Sequence, residues 1–215
     1  MARDLDRIDA RIEASLESLA IAVDAGARRR LAALSLLVAQ WNERMNLTGH
    51  REPERIADRL AVPAVCLAEA LPDFGSLADL GSGAGFPGLP IAILRPEAQV
   101  TLVESRERRH HFQRAAIREI EIANATPLRG RIEEIEAIPH DVALAQAVGP
   151  PSEVLAMIRG WVRPGGLLGI PASGHATPPT SAAGTSAIEV RRYRTPDPDA
   201  PGRFEERAVW LSRAT

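Results

Sequence analysis

Apolar positions in the first third of the chain recur every three or four residues, the spacing of one helix face. Leu5, Ile8, Ile12, Leu16 and Leu19 form one such row. After Gly26, a second row runs through Leu31, Leu34, Leu37, Val38 and Trp41, and the breakers Asn46 and Thr48-Gly49 predict its end near Asn46. Pro53 suits a first helical turn and predicts a third helix carrying Ile56, Leu60, Val65 and Leu67, kinked at Pro63. Residues 1–72 thus read as an N-terminal helical extension that caps the rest of the chain.

From Ser76 the pattern shortens. Apolar runs at Leu77–Leu80, Val100–Glu104, Ala125–Leu128, Val142–Ala145 and Leu167–Ile170 predict strands. Between them lie amphipathic stretches near Pro87–Leu94, Arg106–Ile122 and Glu153–Val162. Strand and helix alternating at this pitch predict βαβ units and a parallel sheet, so residues 73–215 read as an α/β domain. Ala172–Ser186, rich in Pro, Gly, Ser and Thr, is expected to be a long mobile loop. Ile188–Tyr193 and Arg207–Leu211, around the turn-rich Thr195–Gly202, predict an antiparallel hairpin at the sheet edge.

Composition narrows the class. With 215 residues, 45% hydrophobic and 25% charged, the chain is long enough to bury a core, which excludes collagen-like, coiled-coil and disordered readings. The longest uncharged stretches, Leu80–Leu94 and Pro164–Ile188, are broken by Gly and Pro, so no membrane span is expected. Charges at Arg3, Asp4, Asp6 and Arg7 interrupt any apolar leader, and the single cysteine, Cys66, has no internal disulfide partner. No Cys/His cluster has metal-ligand spacing, so the expectation is a metal-free, cytoplasmic protein, taken as a monomer. All 26 basic residues are Arg, and the net charge is −2. They are uneven: Ser105–Arg131 holds seven Arg against three Glu, a basic segment that suits either phosphate contacts or a solvated helix face.

The strongest chemical signal is Asp79-Leu80-Gly81-Ser82-Gly83-Ala84-Gly85-Phe86-Pro87-Gly88, which leaves a predicted strand and enters a predicted helix. Glycines are needed there because a Cβ blocks both the tight turn and close ligand approach. Glu104, ending the next strand, is placed to accept hydrogen bonds from the hydroxyls of a ribose. Gly83 to Gly88 also satisfies the G-x-G-x-x-G pattern of dinucleotide enzymes, so an NAD-dependent oxidoreductase is one reading. Asp79 argues against it, since a carboxylate beside a pyrophosphate is unfavourable, whereas the ammonium of S-adenosylmethionine would be held by it. A ligand-free structural turn is the third reading.

Trp41-Asn42-Glu43-Arg44-Met45-Asn46-Leu47-Thr48, taken with this loop and its Phe86-Pro87-Gly88-Leu89-Pro90 run, resembles the RsmG (GidB) family of bacterial 16S rRNA guanine-N7 methyltransferases. The resemblance spans roughly Leu31 to Ile170. It implies a class I methyltransferase: a Rossmann-like, mostly parallel seven-stranded sheet with an antiparallel C-terminal edge. It also implies S-adenosylmethionine as cofactor and 16S rRNA or the small ribosomal subunit as partner. On its motifs, Asp79, Gly81, Ser82, Gly83, Gly85 and Phe86 line the cofactor, Glu104 holds the ribose, and Ile132 and Glu133 flank the adenine. For Glu133 a solvated helix start is the competing reading; for Trp41 it is a core aromatic, and for Asn46 a cap or turn former.

This chain also departs from the family. Gln146, within Ala145-Gln146-Ala147, takes the position of a family arginine at the catalytic and cofactor end of the site. A family lysine gives way to the Pro171-Ala172-Ser173 segment, and polar family residues become Leu60, Pro63, Ala64 and Ala208. A diverged relative that binds the cofactor or RNA without efficient transfer is therefore the alternative reading. RNA contacts are expected from Arg106, Arg108, Arg109, Arg114 and Arg118, with Arg28, Arg29 and Arg30 as further candidates. Guanine N7 carries an exposed lone pair, so no catalytic triad or carboxylate pair is expected. Only eight aromatics are present, with no cluster to stack a flipped base.

Overall fold

The computed structural model describes residues 2–146, 148–179 and 184–215. Helix α1, Ala2–Glu17, turns Ile8, Ile12 and Leu16 onto α2, Ala25–Asn42. Asp24 caps α2, its Oδ1 accepting from the amides of Gly26 at 2.8 Å and Ala27 at 3.1 Å. The two helices are also tied by charge: Arg28 reaches Asp9 and Glu13, each at 2.8 Å, and Arg29 reaches Asp6 at 3.0 Å. Arg28 is half-buried in its pairs, whereas Arg29 stays exposed beside Asp6.

Helix α2 stops at Asn42, short of the predicted end near Asn46, and Asn42 is the cause. Its Oδ1 accepts from the amides of Leu47 and Thr48, while its Nδ2 donates to the carbonyls of Thr48 and His50. One amide thereby satisfies four backbone groups of the following turn, the role expected of Asn46. Helices α3, Pro53–Ile56, and α4, Val62–Ala70, are joined by a π-helical turn over Ala57–Ala61. Pro63 has no amide hydrogen for an α-helical ladder, and the wider turn just before it absorbs the missing bond, which is the form the expected kink takes.

The sheet has seven strands in the order β3-β2-β1-β4-β5-β7-β6. Strands β1 (Ser76–Leu80), β2 (Gln99–Glu104), β3 (Ala125–Arg129), β4 (His140–Ala145) and β5 (Val162–Ser173) run parallel. The hairpin β6 (Glu189–Pro196) and β7 (Phe204–Arg213) is antiparallel, β7 pairing with β5. The expected α/β fold with an antiparallel C-terminal edge is therefore present. Helices α5 (Gly88–Leu94), α6 (Glu107–Glu119) and α7 (Pro151–Ile158) follow β1, β2 and β4. The chain leaves β1 for β2 on one side and returns to β4 on the other, so the strand order reverses at β1, where open α/β sheets bind ligands.

Two departures concern β5. It begins at Val162 rather than Leu167, with a register shift where His140 and Val142 pair across to Val162 and Leu167. It also runs on through Ala172 and Ser173, so these two are not loop residues. Of the remaining stretch expected to be mobile, residues 180–183 lie outside the described residues, while Ser186 is bonded to β7 through its amide and hydroxyl.

Alternate residues of each strand feed opposite cores. Leu77, Leu144, Val209 and Leu211 face the helical extension, in one cluster with Ile8, Leu31, Ile56 and Val65. Ala78, Leu80, Leu168 and Trp210 face α7 and Trp161. Trp41 of α2 meets Phe112 of α6 edge-on, with ring centroids 5.6 Å apart. Trp41 is half-buried and packs against the edge of the core rather than within it. No helix among the described residues is long and apolar enough to cross a membrane.

Replacing Asn42 by Ala removes all four turn bonds and leaves half-buried carbonyls and amides without their partner. The expected cost is about 2 kcal/mol, which lowers the melting temperature by roughly 4–8 °C for a chain of this size. A calorimetric melt equal to that of the parent would contradict this account.

Candidate active site

The loop from Gly81 to Pro87 leaves the carboxyl end of β1 and enters α5. Gly81, Gly83 and Gly85 have φ of +76°, +56° and +82°, a left-handed region that glycine enters without a Cβ clash. The amides of Gly81 and Ser82 both donate to the Val103 carbonyl on β2, at 2.9 and 3.0 Å, and those of Gly85 and Phe86 both donate to the Ser82 carbonyl. Gln113, fully buried on α6, locks the loop from below: its Nε2 donates to Ser82 Oγ at 2.8 Å and to the Gly83 carbonyl at 2.9 Å. Sequence reasoning missed Gln113. The available signal was a polar residue beside Phe112, on the side of α6 that turns toward the sheet.

Two carboxylates flank the loop. Asp79 is 2% exposed, and its Oδ2 accepts from the Gly88 amide at 2.8 Å, tying the end of β1 to the start of α5. Burial pushes its carboxyl up to about 7, against the Gly88 hydrogen bond and with a small push from Glu104. Its Oδ1 makes no hydrogen bond among the described residues. Glu104, at the end of β2, accepts from the amides of Gly83 at 3.0 Å and Arg106 at 2.7 Å. Arg109 Nη1 lies 3.8 Å from its Oε2.

The remaining candidates divide between the turn after β3, a cleft beside the loop, and α6. Ile132 is half-buried against the α7-side core in the turn after β3, and Glu133 beside it is exposed. Phe86 is half-buried and Gln146 exposed, and both line a cleft of about 350 Å³ at the carboxyl ends of β1, β4 and β5. Its walls come from distant parts of the chain: Arg59, Leu60, Pro63 and Ala64 from the helical extension, Pro171 and Ala172 from β5, Tyr193 and Arg207 from the hairpin. Most of the positions where this chain departs from the family motifs, Leu60, Pro63, Ala64, Gln146 and Ala172, therefore share one cavity. Of the basic residues of α6 and its approach, Arg106, Arg108, Arg114 and Arg118 are exposed, whereas Arg109 leans over the glycine loop toward Glu104. Arg118 lies in the last turn of α6 and pairs with Glu119 at 3.7 Å, away from the loop.

The arrangement fits S-adenosylmethionine. Two acids at the ends of adjacent strands match its ammonium and its ribose hydroxyls. A side chain built at Gly83 would project into space bounded by Arg109 Nη1 at 3.8 Å, so the absence of a Cβ leaves that face clear. Over Gly81 the space is closed instead by Val148, from the segment after β4, whose Cγ1 would lie 2.5 Å from an added Cβ.

Comparison with known proteins identifies the family and the fold. Residues 28–170 match the model of a family described as rRNA small subunit methyltransferase G. Ribosomal RNA small subunit methyltransferase G of Chromohalobacter salexigens is 35% identical over 158 residues, 74% of this chain and 76% of that protein. Its counterpart in Halorhodospira halophila is 36% identical over 157 residues, 73% of this chain and 75% of that protein. Among solved structures, a SAM-dependent methyltransferase from Aquifex aeolicus superposes with a TM-score of 0.53 at 15% identity, covering 76% of this chain and 94% of the other.

The buried Asp79 sets a pH dependence. In the unfolded chain it ionises near 3.8, so between about pH 4 and 7 the folded state holds a proton that the unfolded state has released. Its contribution is therefore most favourable below this window and declines as pH rises through it, by on the order of a few kcal/mol. Asp79→Asn keeps an oxygen for the Gly88 amide and removes the titration. Denaturant unfolding at several pH values is expected to show a shallower loss of stability toward pH 7 in the variant; parallel profiles would contradict the assignment.

Proposed function

The chain belongs to the rRNA small subunit methyltransferase G family, and from that premise we propose that it methylates a guanine N7 of 16S rRNA with S-adenosylmethionine as donor. The observation that carries the reading is the meeting of the glycine loop with the 350 Å³ cleft: Phe86 and Pro87 belong to both. When bound, S-adenosylmethionine supplies a methyl group on a sulfonium, an electrophile that an unprotonated ring nitrogen attacks directly.

The division of labour in this reading follows the chain. Residues 73–215 hold the cofactor: Glu104 accepts from the ribose hydroxyls, Asp79 faces the ammonium through Oδ1, and Ser82, Gly83 and Gly85 form the floor, with Gly81 at its edge beneath Val148. Ile132 and Glu133 stand on the adenine side. Residues 1–72 supply a wall of the acceptor cleft through Arg59, Leu60, Pro63 and Ala64.

Chemistry at N7 needs no general base, so the protein's contribution is alignment, exclusion of water and accommodation of the positive charge that develops on guanine. Leu60, Pro63, Ala64, Phe86, Pro87, Pro171 and Ala172 give the cleft an apolar wall, across from polar groups of Arg59, Gln146, Tyr193 and Arg207. Gln146 brings a neutral amide to it: its oxygen can accept from a ring or exocyclic N–H, and it adds no cation to repel the developing charge. The exposed Arg106, Arg108 and Arg114 contact the RNA backbone beside the cofactor loop. The dinucleotide reading is set aside, because the buried Asp79 lies beneath the loop where a pyrophosphate would sit.

The test is transfer of labelled methyl from S-adenosylmethionine to small ribosomal subunits lacking the modification, followed by mapping of the labelled base. Label on one guanine N7 is expected. Gly83→Arg forces a long side chain into the ligand face from a backbone at φ +56° and is expected to reduce transfer at least a hundredfold. Undiminished transfer by that variant would refute the site. Intact cofactor binding without any label would return the diverged, non-transferring reading.

A further inference from the structure

One carboxylate in the cleft wall bridges two guanidiniums drawn from opposite ends of the chain. Glu205 Oε1 accepts from Arg59 Nη1 at 2.6 Å, and Glu205 Oε2 accepts from Arg207 Nη2 at 2.5 Å. Arg59 is further paired with Asp199 of the β6–β7 turn, which also takes Arg55 at 2.6 Å. The cluster thus holds three cations, Arg55, Arg59 and Arg207, against two anions, Asp199 and Glu205, and keeps a residual positive charge beside the acceptor cleft.

Arg207 is only partly used. Nε and Nη2 form the side-on fork with which arginine grips a two-oxygen anion, but Glu205 engages Nη2 alone. Nε is buried and has no hydrogen-bond partner among the described residues. A buried donor without a partner is unfavourable unless something else completes it. Glu205 does not complete it in this arrangement, because its other oxygen is turned to Arg59. A phosphodiester brings two unesterified oxygens on a tetrahedral phosphorus, set wider apart than a carboxylate's, so that one can take Nε and Nη2 side-on while the other takes Arg59.

We propose that Arg59 and Arg207 form the seat for a phosphodiester of the acceptor RNA strand, and that Glu205 occupies this seat in the free protein. The proposal rests on the methyltransferase reading above and adds the subsite beside the acceptor base. Both arginines line the same cleft as Phe86 and Gln146, so a phosphate held there lies within a nucleotide's reach of the methyl-transfer position. Entry of the strand exchanges one anion for another on the same two guanidiniums. The hairpin carboxylates then act as a filter that a flexible or weakly bound anion does not displace, whereas a strand anchored at other phosphates does.

The experiment measures binding of a fluorescein-labelled single-stranded RNA of about fifteen nucleotides by anisotropy across a salt series. Glu205→Gln is expected to bind at least threefold tighter than the parent, because the seat no longer holds a competing anion. Arg207→Gln is expected to bind weaker, with a slope of log affinity against log salt shallower by about 0.7, the value of one lost single-strand phosphate contact. Should Glu205→Gln fail to fold, Asp199→Asn, at the exposed turn, frees Arg55 and leaves Arg59 to Glu205 alone, and is expected to tighten binding in the same direction. Unchanged RNA affinity in the folded carboxylate variants, or a parental slope in Arg207→Gln, would overturn the proposal and leave the cluster as a clamp between helical extension and hairpin. Inorganic phosphate protecting the parent from heat at millimolar concentration, without competing with the RNA, would overturn the assignment to a strand phosphate. Calorimetric binding of S-adenosylmethionine to the same variants separates the two readings. Unaltered cofactor affinity with altered RNA affinity supports the seat, while loss of cofactor binding in the parent would refute the methyltransferase reading itself.

Discussion

Two acids at the carboxyl ends of adjacent strands, Asp79 on β1 and Glu104 on β2, are almost fully buried, and each is held by an amide of the glycine loop or of the helix it enters. Carboxylates in such positions are costly unless backbone donors converge on them. Here the donors exist only because Gly81, Gly83 and Gly85 adopt left-handed backbone angles that turn the loop back over both strands. Gln113 completes the arrangement from α6 by holding Ser82 and the Gly83 carbonyl. The loop is therefore fixed by β1, β2, α5 and α6 together. Its shape is a property of the packed sheet as much as of its own glycines.

The helical extension acts through the same frame. Its apolar face and the inner sheet face share one core, with Trp41 against Phe112 joining α2 to the helix that carries Gln113. The π-helical turn over Ala57–Ala61 then sets Arg59 and Leu60 into the cleft wall, opposite the hairpin. A cleft built this way depends on docking of the extension, since neither the extension nor the sheet encloses it alone. The Arg59–Glu205 pair spans that boundary and so couples acceptor-site charge to the seating of the extension.

Elements whose signal is local were readable along the chain. The helix rows of α1 and α2, the five parallel strands and the hairpin appear because apolar periodicity reports directly on which face is buried. Boundaries were less readable where a side chain overrides propensity. Asn42 ends α2 by binding the turn beyond it, a job that Asn46 was expected to do, and two otherwise similar asparagines cannot be told apart until the chain has turned. Strand β5 starts early because Val162 pairs with His140 across a register shift that periodicity does not register. The acids that pair with Arg28 and Arg29, namely Asp6, Asp9 and Glu13, come from α1 and meet them only when the two helices pack.

The α/β class, the family and the cofactor loop were legible along the chain because they rest on short contiguous patterns: a period of apolar residues, three glycines at required spacing, an acid at the end of each of two strands. Which polar groups work together emerges from the packed fold alone. Gln113 beneath the loop and Glu205 between Arg59 and Arg207 join residues 30 and 146 positions apart. So does the cleft that gathers Leu60, Gln146, Ala172 and Arg207. Hydrogen bonds and ion pairs act over a few ångströms, and distances of that size between remote residues are set by how the sheet, its helices and the N-terminal extension pack, not by any interval along the chain.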